Sequence, residues 1–129
     1  MTVHYTTTLA NAKLDAVTTA VGNAGKLIIY DGAQPSAGGA ATTALVTFTL
    51  GSPFAPSASS RILSPTVPSP TAASNSSTAT WARVTTSGGT WIVDMNVGTS
   101  GAPLNINSLT ITSGVNVTVT SWALTAGNA

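Results

Sequence analysis

Two neighbouring segments with alternating apolar and polar residues constrain the fold of this chain more than any other feature. In residues 90–97 every second side chain is large and apolar: Trp91, Val93, Met95 and Val97. In residues 78–84 the corresponding positions are Ala79, Trp81 and Arg83, and Ser87-Gly88-Gly89 between the segments has the composition of a hairpin turn. A period of two is that of a strand. The two segments therefore predict an antiparallel hairpin, which disfavours a parallel α/β fold.

Several other segments show the same strand-like pattern. They are residues 26–30, 45–50, 104–111, as one long strand or two short ones, and 115–124. Turn residues separate six to eight such strands at intervals of about 8–12 residues, which is the spacing of β-sandwiches and jelly rolls. We therefore predict one mainly β domain over residues 1–129, an antiparallel β-sandwich or jelly roll.

Residues 8–22 are the one segment with a helical period. Its apolar residues recur three and four positions apart: Leu9, Ala12, Ala16, Val17, Ala20 and Val21. Thr7 or Thr8 can cap the start, and Gly22 or Gly25 can end the helix. We predict a short amino-terminal helix that lays this face on the sheet, with Lys13 and Asp15 on its exposed side. Residues 1–7 are predicted to form an arm.

Residues 51–77 are rich in proline and hold five of the seven prolines of the chain. Proline cannot donate to a sheet hydrogen bond, so it is confined to edge strands and irregular segments. The segment is therefore predicted to be an extended surface loop that is free to reach outward, with room for one short strand at residues 61–63.

The small number of charges excludes several functions. Four Lys and Arg and three Asp stand beside 38 Ser and Thr, and Glu and Cys are absent. Duplex nucleic acid requires several cationic contacts, and calcium requires several carboxylates, so Asp94, Asn96, Gly98 and Ser100 make a poor calcium loop. His4 is the one imidazole available for a triad or a metal. We expect no enzyme, no cofactor and no metal site.

The sequence also lacks the patterns of membrane insertion and secretion. No apolar run approaches the roughly 18 residues of a membrane span. The amino terminus has no cationic segment followed by a long apolar stretch, so we expect no secretory signal.

The same shortage of charge favours a chain that functions inside an assembly. Isolated domains usually carry many charges of both signs on their surface. This chain has only seven formally charged side chains, four Lys and Arg and three Asp, and a net charge of +1. Aromatic and Arg side chains are enriched at interface hot spots. The candidate interface residues are His4, Tyr5, Phe54, Arg61, Ile62, Arg83 and Trp122. We expect a homo-oligomer, with a trimer as the favoured state.

The three tryptophans offer a different interpretation. Trp81, Trp91 and Trp122 are candidates for an aromatic platform that binds sugars, and Trp81 and Trp91 are predicted to be cross-strand neighbours in the hairpin. Core or interface packing is the more common role for such residues. A glycan-binding module therefore stays open as an alternative.

Several turn and strand motifs resemble those of small virion proteins of tailed phages. They are residues 25–35 (GKLIIYDGAQP), 38–43 (GGAATT), 89–91 (GTW), 98–101 (GTSG) and 126–129 (AGNA). The likeness covers nearly the whole chain, and none of the motifs carries chemistry. It implies a capsid decoration, or cement, protein: a small β-sandwich on the outer surface of the capsid that clamps neighbouring major capsid proteins. A tail, neck or fibre component is the other possibility.

Overall fold

The computed structural model of the chain describes residues 5–36 and 38–125, and it is mainly β with one helix in that range. The helix, α1, spans Thr7–Val21. The strands are β1 (Lys26–Tyr30), β2 (Ala44–Thr49), β3 (Ile62–Leu63), β4 (Thr71–Ala72), β5 (Ser77–Thr78), β6 (Trp81–Thr85), β7 (Trp91–Gly98), β8 (Leu104–Ile106), β9 (Thr110–Ile111), β10 (Asn116–Val117), β11 (Val119–Trp122) and β12 (Leu124–Thr125).

Six of these strands form one curled sheet in the order β11-β8-β7-β6-β1-β2. All of its pairings are antiparallel except that of β7 with β8, which joins Val97 to Leu104 and Gly98 to Asn105 in parallel. Three two-stranded ladders, β4–β10, β3–β12 and β5–β9, complete the fold. The predicted mainly β chain with an amino-terminal helix is confirmed, and β6–β7 is the predicted hairpin.

Helix α1 begins one residue earlier than predicted and ends at Val21. The Thr6 side chain accepts a hydrogen bond from the Leu9 backbone N–H at 3.1 Å and so caps the helix. Gly22, with φ at +70°, ends it. The predicted arm is therefore shorter on its carboxyl side, because Thr6 and Thr7 belong to the helix start; residues 1–4 lie outside the described residues.

The buried face of α1 differs from the predicted one. Ala10, Leu14 and Val21 are buried, and Val17 packs against the core. Most of the predicted face is exposed, namely Leu9, Ala12, Ala16 and Ala20. The helix carries apolar residues on two sides, and the side with the bulkier Leu14 and Val21 packs on the sheet because it removes more apolar area from water.

The Pro-rich segment lies mostly on the surface, as predicted, but buried side chains tie it to the core, so it is not free to reach outward. Phe54, Ala55, Leu63 and Ala73 are buried. The segment stays mostly irregular, yet β3, β4 and β5 each pair with a strand from the last quarter of the chain. These short pairings satisfy backbone groups where the segment packs on the rest of the chain.

The register of the hairpin separates Trp81 from Trp91, so these residues are not cross-strand neighbours. Trp81 lies opposite Asn96, and Trp91 lies opposite Thr85 beyond a bulge that leaves Ile92 without a direct partner. A bulge changes the face on which the following side chains emerge. Trp91 therefore leaves the apolar face of β7 and packs against Gly38, where a Cβ would lie 2.9 Å from its ring.

Candidate interaction site

A surface formed by the start of α1 and the turn before β3 brings together three of the predicted interface residues. We call Tyr5, Leu9, Lys13, Arg61 and Ile62 the helix–turn patch. Tyr5, Leu9 and Lys13 follow one another at four-residue intervals, and the Lys13 ammonium lies 4.1 Å from the centroid of the Tyr5 ring. Arg61 donates from Nη2 to the Tyr5 backbone carbonyl, and Ile62 follows it in the chain. Leu9 and Ile62 are 46% and 41% exposed, which is high for large apolar side chains.

The turn that carries Arg61 has a strained backbone. Ser59 and Ile62 exchange two backbone hydrogen bonds of 2.9 Å, and the two residues between them, Ser60 and Arg61, have φ of +52° and +65°. Side chains other than Gly disfavour this left-handed region by about 1–2 kcal/mol per residue. The turn is nevertheless tight and projects the Arg61 side chain toward the start of α1.

Two polar side chains of the helix hold this turn in place. Asn11 Oδ1 accepts a hydrogen bond from the Arg61 N–H at 3.0 Å. Asp15 Oδ1 accepts one from the Ala58 N–H at 2.7 Å. Asp15, predicted on the exposed side of the helix, therefore has a structural contact, and the helix–turn patch is a fixed surface rather than a loop tip.

The patch carries positive charge that is not neutralised by an ion pair. Within residues 5–36 and 38–125 the one salt bridge joins Arg83 to Asp94. Lys13 contacts the Tyr5 ring, and Arg61 contacts a carbonyl oxygen. The buried Nη1 of Arg61 has no hydrogen-bond partner among the described residues. Exposed apolar side chains on a surface whose cations have no ion-pair partner suit a contact with another protein.

The remaining candidate interface residues lie elsewhere. Phe54 and Trp122 are buried together, with their rings edge to face and centroids 5.3 Å apart, and Trp122 Nε1 contacts Met95 Sδ at 3.2 Å. Arg83 is also buried. Phe54 and Trp122 belong to the hydrophobic core, and Arg83 is held in an ion pair with Asp94. His4 lies outside the described residues.

Arg83 and Asp94 form a buried ion pair that fixes a loop to the sheet. Arg83 Nε and Nη2 donate to the two carboxylate oxygens of Asp94 at 2.7 and 3.1 Å. Nη2 also donates to the Gly39 carbonyl at 2.8 Å, and the guanidinium lies 5.1 Å from the centroid of the Trp81 ring. The hydrogen bond that Arg83 donates to Asp94 raises the pKa of Arg83 above its ordinary value, in spite of burial. Because both Asp94 oxygens are occupied, this carboxylate is not a free calcium ligand.

The three tryptophans do not form a common platform. Trp81 and Trp122 are buried, whereas Trp91 is 40% exposed. Trp81 Nε1 donates to the Asp31 carbonyl and to Thr42 Oγ1, at 3.1 and 3.0 Å. The sugar-binding interpretation therefore loses the row of exposed rings on which it depended.

We expect Tyr30 to lose its proton at a higher pH than a free tyrosine. Its ring stacks on Trp81 with centroids 4.4 Å apart, and burial raises its pKa above 10.0, an effect that Arg83 opposes and Asp94 reinforces. The pKa of Tyr30 is higher in the folded chain than in the unfolded chain, so the fold is stabilised when this side chain is neutral. That stabilisation is complete below pH 10 and is lost as the pH rises through the folded pKa. Absorbance titration of tyrosinate should show a late component.

The control for this titration is Tyr30→Phe, which should remove the late component and reduce the loss of stability at alkaline pH. A native-state titration curve identical to that of the unfolded chain would contradict the expectation.

The described residues contain no group of three or more His, Cys, Asp and Glu side chains that could hold a metal ion. In the same part of the chain, α1 is too short and too polar to cross a membrane. Comparison of the chain with protein-family models, with curated proteins and with solved structures found no match.

Proposed function

We propose that the chain is a structural virion protein that decorates the outer surface of a tailed-phage capsid and stabilises it by bridging neighbouring major capsid subunits. In this proposal the chain is a β-sandwich that acts as a trimer, and the helix–turn patch is its contact surface. The resemblance of the turn and strand motifs to those of small virion proteins supports the virion context. The observation that carries the contact surface is the exposed Ile62 next to Arg61, whose guanidinium lies at the Tyr5 carbonyl. The exposed Leu9 extends this surface along the side of the helix that carries Tyr5 and Lys13.

The physical chemistry of the patch fits a clamp. Each copy needs only modest affinity for one capsid subunit, because contacts to several subunits act together through effective concentration. A rigid patch orders few side chains on binding, which reduces the entropy lost. A trimer with threefold symmetry presents three such patches to a threefold position of a shell.

The first experiment measures copy number in purified particles. A decoration protein should be present in hundreds of copies, comparable with the major capsid protein, whereas a tail or fibre component should be present in tens or fewer. Particles that lack the protein should also release their DNA at a lower temperature. Equal release temperatures for stripped and intact particles would overturn the stabilising role.

We expect Arg61→Gly to weaken particle binding without unfolding the chain. Glycine accepts the positive φ of position 61, so relief of backbone strain offsets the lost contact with Tyr5, while the guanidinium is removed. Ile62→Ala should weaken binding by roughly tenfold, as expected for loss of an interface anchor worth about 1.4 kcal/mol. Binding to stripped particles and chemical denaturation measure the two effects separately.

The matched control is Val115→Ala, which truncates a side chain that is 56% exposed but lies outside the helix–turn patch. It should change neither quantity. If Val115→Ala and Ile62→Ala weaken binding equally, the patch is not the contact surface.

A further inference from the structure

An open groove of about 440 Å³ lies between α1 and the outer edge of β7. Leu14 and Val17 of the helix form one wall, and Leu124 contributes beside them. Gln34 and Asn96 form the opposite, polar side. The floor is β7 itself, including Met95, whose side chain belongs to the core together with Leu14.

The strand along the floor of this groove has an incomplete set of partners. β7 pairs with β6 from Trp91 to Asn96, but β8 pairs with β7 only at Val97 and Gly98. The other edge of β7 is therefore open between Trp91 and Asn96 in the part of the chain that the structure describes. This edge borders the groove.

The hydrogen-bond phase of the hairpin shows which backbone groups face the open edge. The Val97 N–H donates to the Thr80 carbonyl at 3.2 Å, so Val97 and, by alternation, Met95 and Val93 direct their backbone groups toward β6. Asp94 and Asn96 direct theirs the other way. No described residue pairs with the Asp94 N–H, the Asp94 carbonyl or the Asn96 N–H. An added strand would satisfy these groups.

The chemistry of the walls defines the strand that fits. An extended segment in the groove alternates its side chains between the Leu14–Val17 wall and the Gln34–Asn96 side. Asp94 is the one ionisable side chain that lines the groove, and Arg83 already neutralises it. A charged side chain would be desolvated there without a partner, which is costly. The groove therefore suits an uncharged segment in which apolar and amide or hydroxyl residues alternate.

We propose that this groove receives a short extended segment of a partner protein as an extra strand paired with β7. The backbone hydrogen bonds to Asp94 and Asn96 supply affinity, and the apolar wall selects the side chains. That the partner is the major capsid protein rests on the proposed function; the geometry of the groove does not.

The edge strand β2 of the sheet provides an internal comparison. The Leu50 N–H donates to the Gly25 carbonyl at 2.8 Å, so by alternation Thr47 directs its backbone outward on the edge strand β2. The Ser74 N–H already occupies the Leu45 carbonyl on this edge. The groove of α1 and β7 does not extend to β2.

The test uses the full chain and a capped six-residue peptide of alternating valine and threonine as the probe. Amide hydrogen exchange and NMR chemical shifts should show protection of the Asp94 and Asn96 amides on addition of peptide, with a dissociation constant near ~1 mM. A peptide with alternate amides N-methylated should give no protection, because it lacks the donors of an added strand.

Two matched pairs of variants locate the binding site. Asn96→Pro removes an outward N–H, which an edge position tolerates, and should weaken peptide binding at least about tenfold; Thr47→Pro does the same on β2 and should leave binding unchanged. Asn96→Lys and Thr47→Lys form the second pair, because an edge lysine opposes strand addition and both positions are exposed. This second pair serves if Asn96→Pro fails to fold.

Three results would overturn the proposal: no protection by the peptide, loss of binding only in the Thr47 variants, or protection of the Asp94 amide by protein concentration alone. The last result would assign the groove to a second copy of the chain. The proposed function fails separately, if purified particles lack the protein. Conversely, Asn96→Pro chains that decorate particles as well as the unaltered chain would reject the major capsid protein as the partner of the groove and leave the decoration role intact.

Discussion

Asp94→Ala should lower the free energy of unfolding by about 3–5 kcal/mol, because it leaves the buried Arg83 guanidinium without its counter-charge. Arg83 would keep the Gly39 carbonyl and the face of Trp81, neither of which carries a full negative charge. Chemical denaturation followed by tryptophan fluorescence measures the loss. We expect the loop that contains Gly39 to become more accessible to hydrogen exchange in the same variant.

Asp31→Ala is the matched control, because the half-buried Asp31 carboxylate accepts one hydrogen bond among the described residues, from the Thr43 N–H at 3.2 Å. Asp31→Ala should lower the free energy of unfolding by about 0.5–1.5 kcal/mol, the contribution of one ordinary hydrogen bond. The double variant Arg83→Met/Asp94→Leu should recover most of the lost stability, since it removes both charges. If Asp94→Ala and Asp31→Ala cost the same, the ion pair does not have the assigned role.

Phe54→Ala should cost about 3–5 kcal/mol, because a fully buried ring leaves a cavity where it met Trp122. The experiment tests whether residues 51–77 belong to the folded core. Val67→Ala in the same segment is the control, since Val67 is 46% exposed, and its effect should stay within about 0.5 kcal/mol. Thermal or chemical denaturation of both variants gives the comparison. Similar small losses of stability in both variants would show that the segment is not anchored in the core.

The strands of the second half could be predicted because alternation records which side chains are buried. The hairpin formed by β6 and β7 follows from period-two patterns on both sides of a Gly-Gly turn. The bulge opposite Thr85 could not be predicted, since nothing in the local sequence distinguishes an extra residue from a regular one. Its consequence was large, because it moved Trp91 to the other face of the sheet.

The helix and the Pro-rich segment show two further features that the sequence pattern could not predict. Apolar residues line two sides of α1, and periodicity alone does not show which side meets the sheet; the size of Leu14 and Val21 decided it. In the Pro-rich segment, the hydrogen bonds that fix β3 come from Leu124 and Thr125, some 60 residues away. Composition is a local property, so it cannot report a partner that is distant in sequence.

For the interface candidates, residue type did not indicate the surroundings that each side chain has in the fold. Tyr5, Arg61 and Ile62 meet because α1 holds the turn at Ser60 and Arg61 through Asn11 and Asp15. Phe54, Arg83 and Trp122 have the same composition signal, yet the fold uses them internally. Aromatic and Arg residues stabilise cores and interfaces by similar contacts, so residue type alone does not separate the two roles.

The pairing of β3 with β12 also determines when the fold can form. The strand partner of Leu63 is Leu124, which is made 61 residues later, and Trp122 closes the core beside Phe54. Contacts this far apart in sequence must overcome a large loop-closure entropy, which places folding in the slow range of milliseconds to seconds. During synthesis on the ribosome, the apolar side chains of residues that pair with β12 therefore stay exposed until their partners have been made. Few charges are present to keep this unfolded chain hydrated, and the many serine and threonine hydroxyls around the apolar residues take that role.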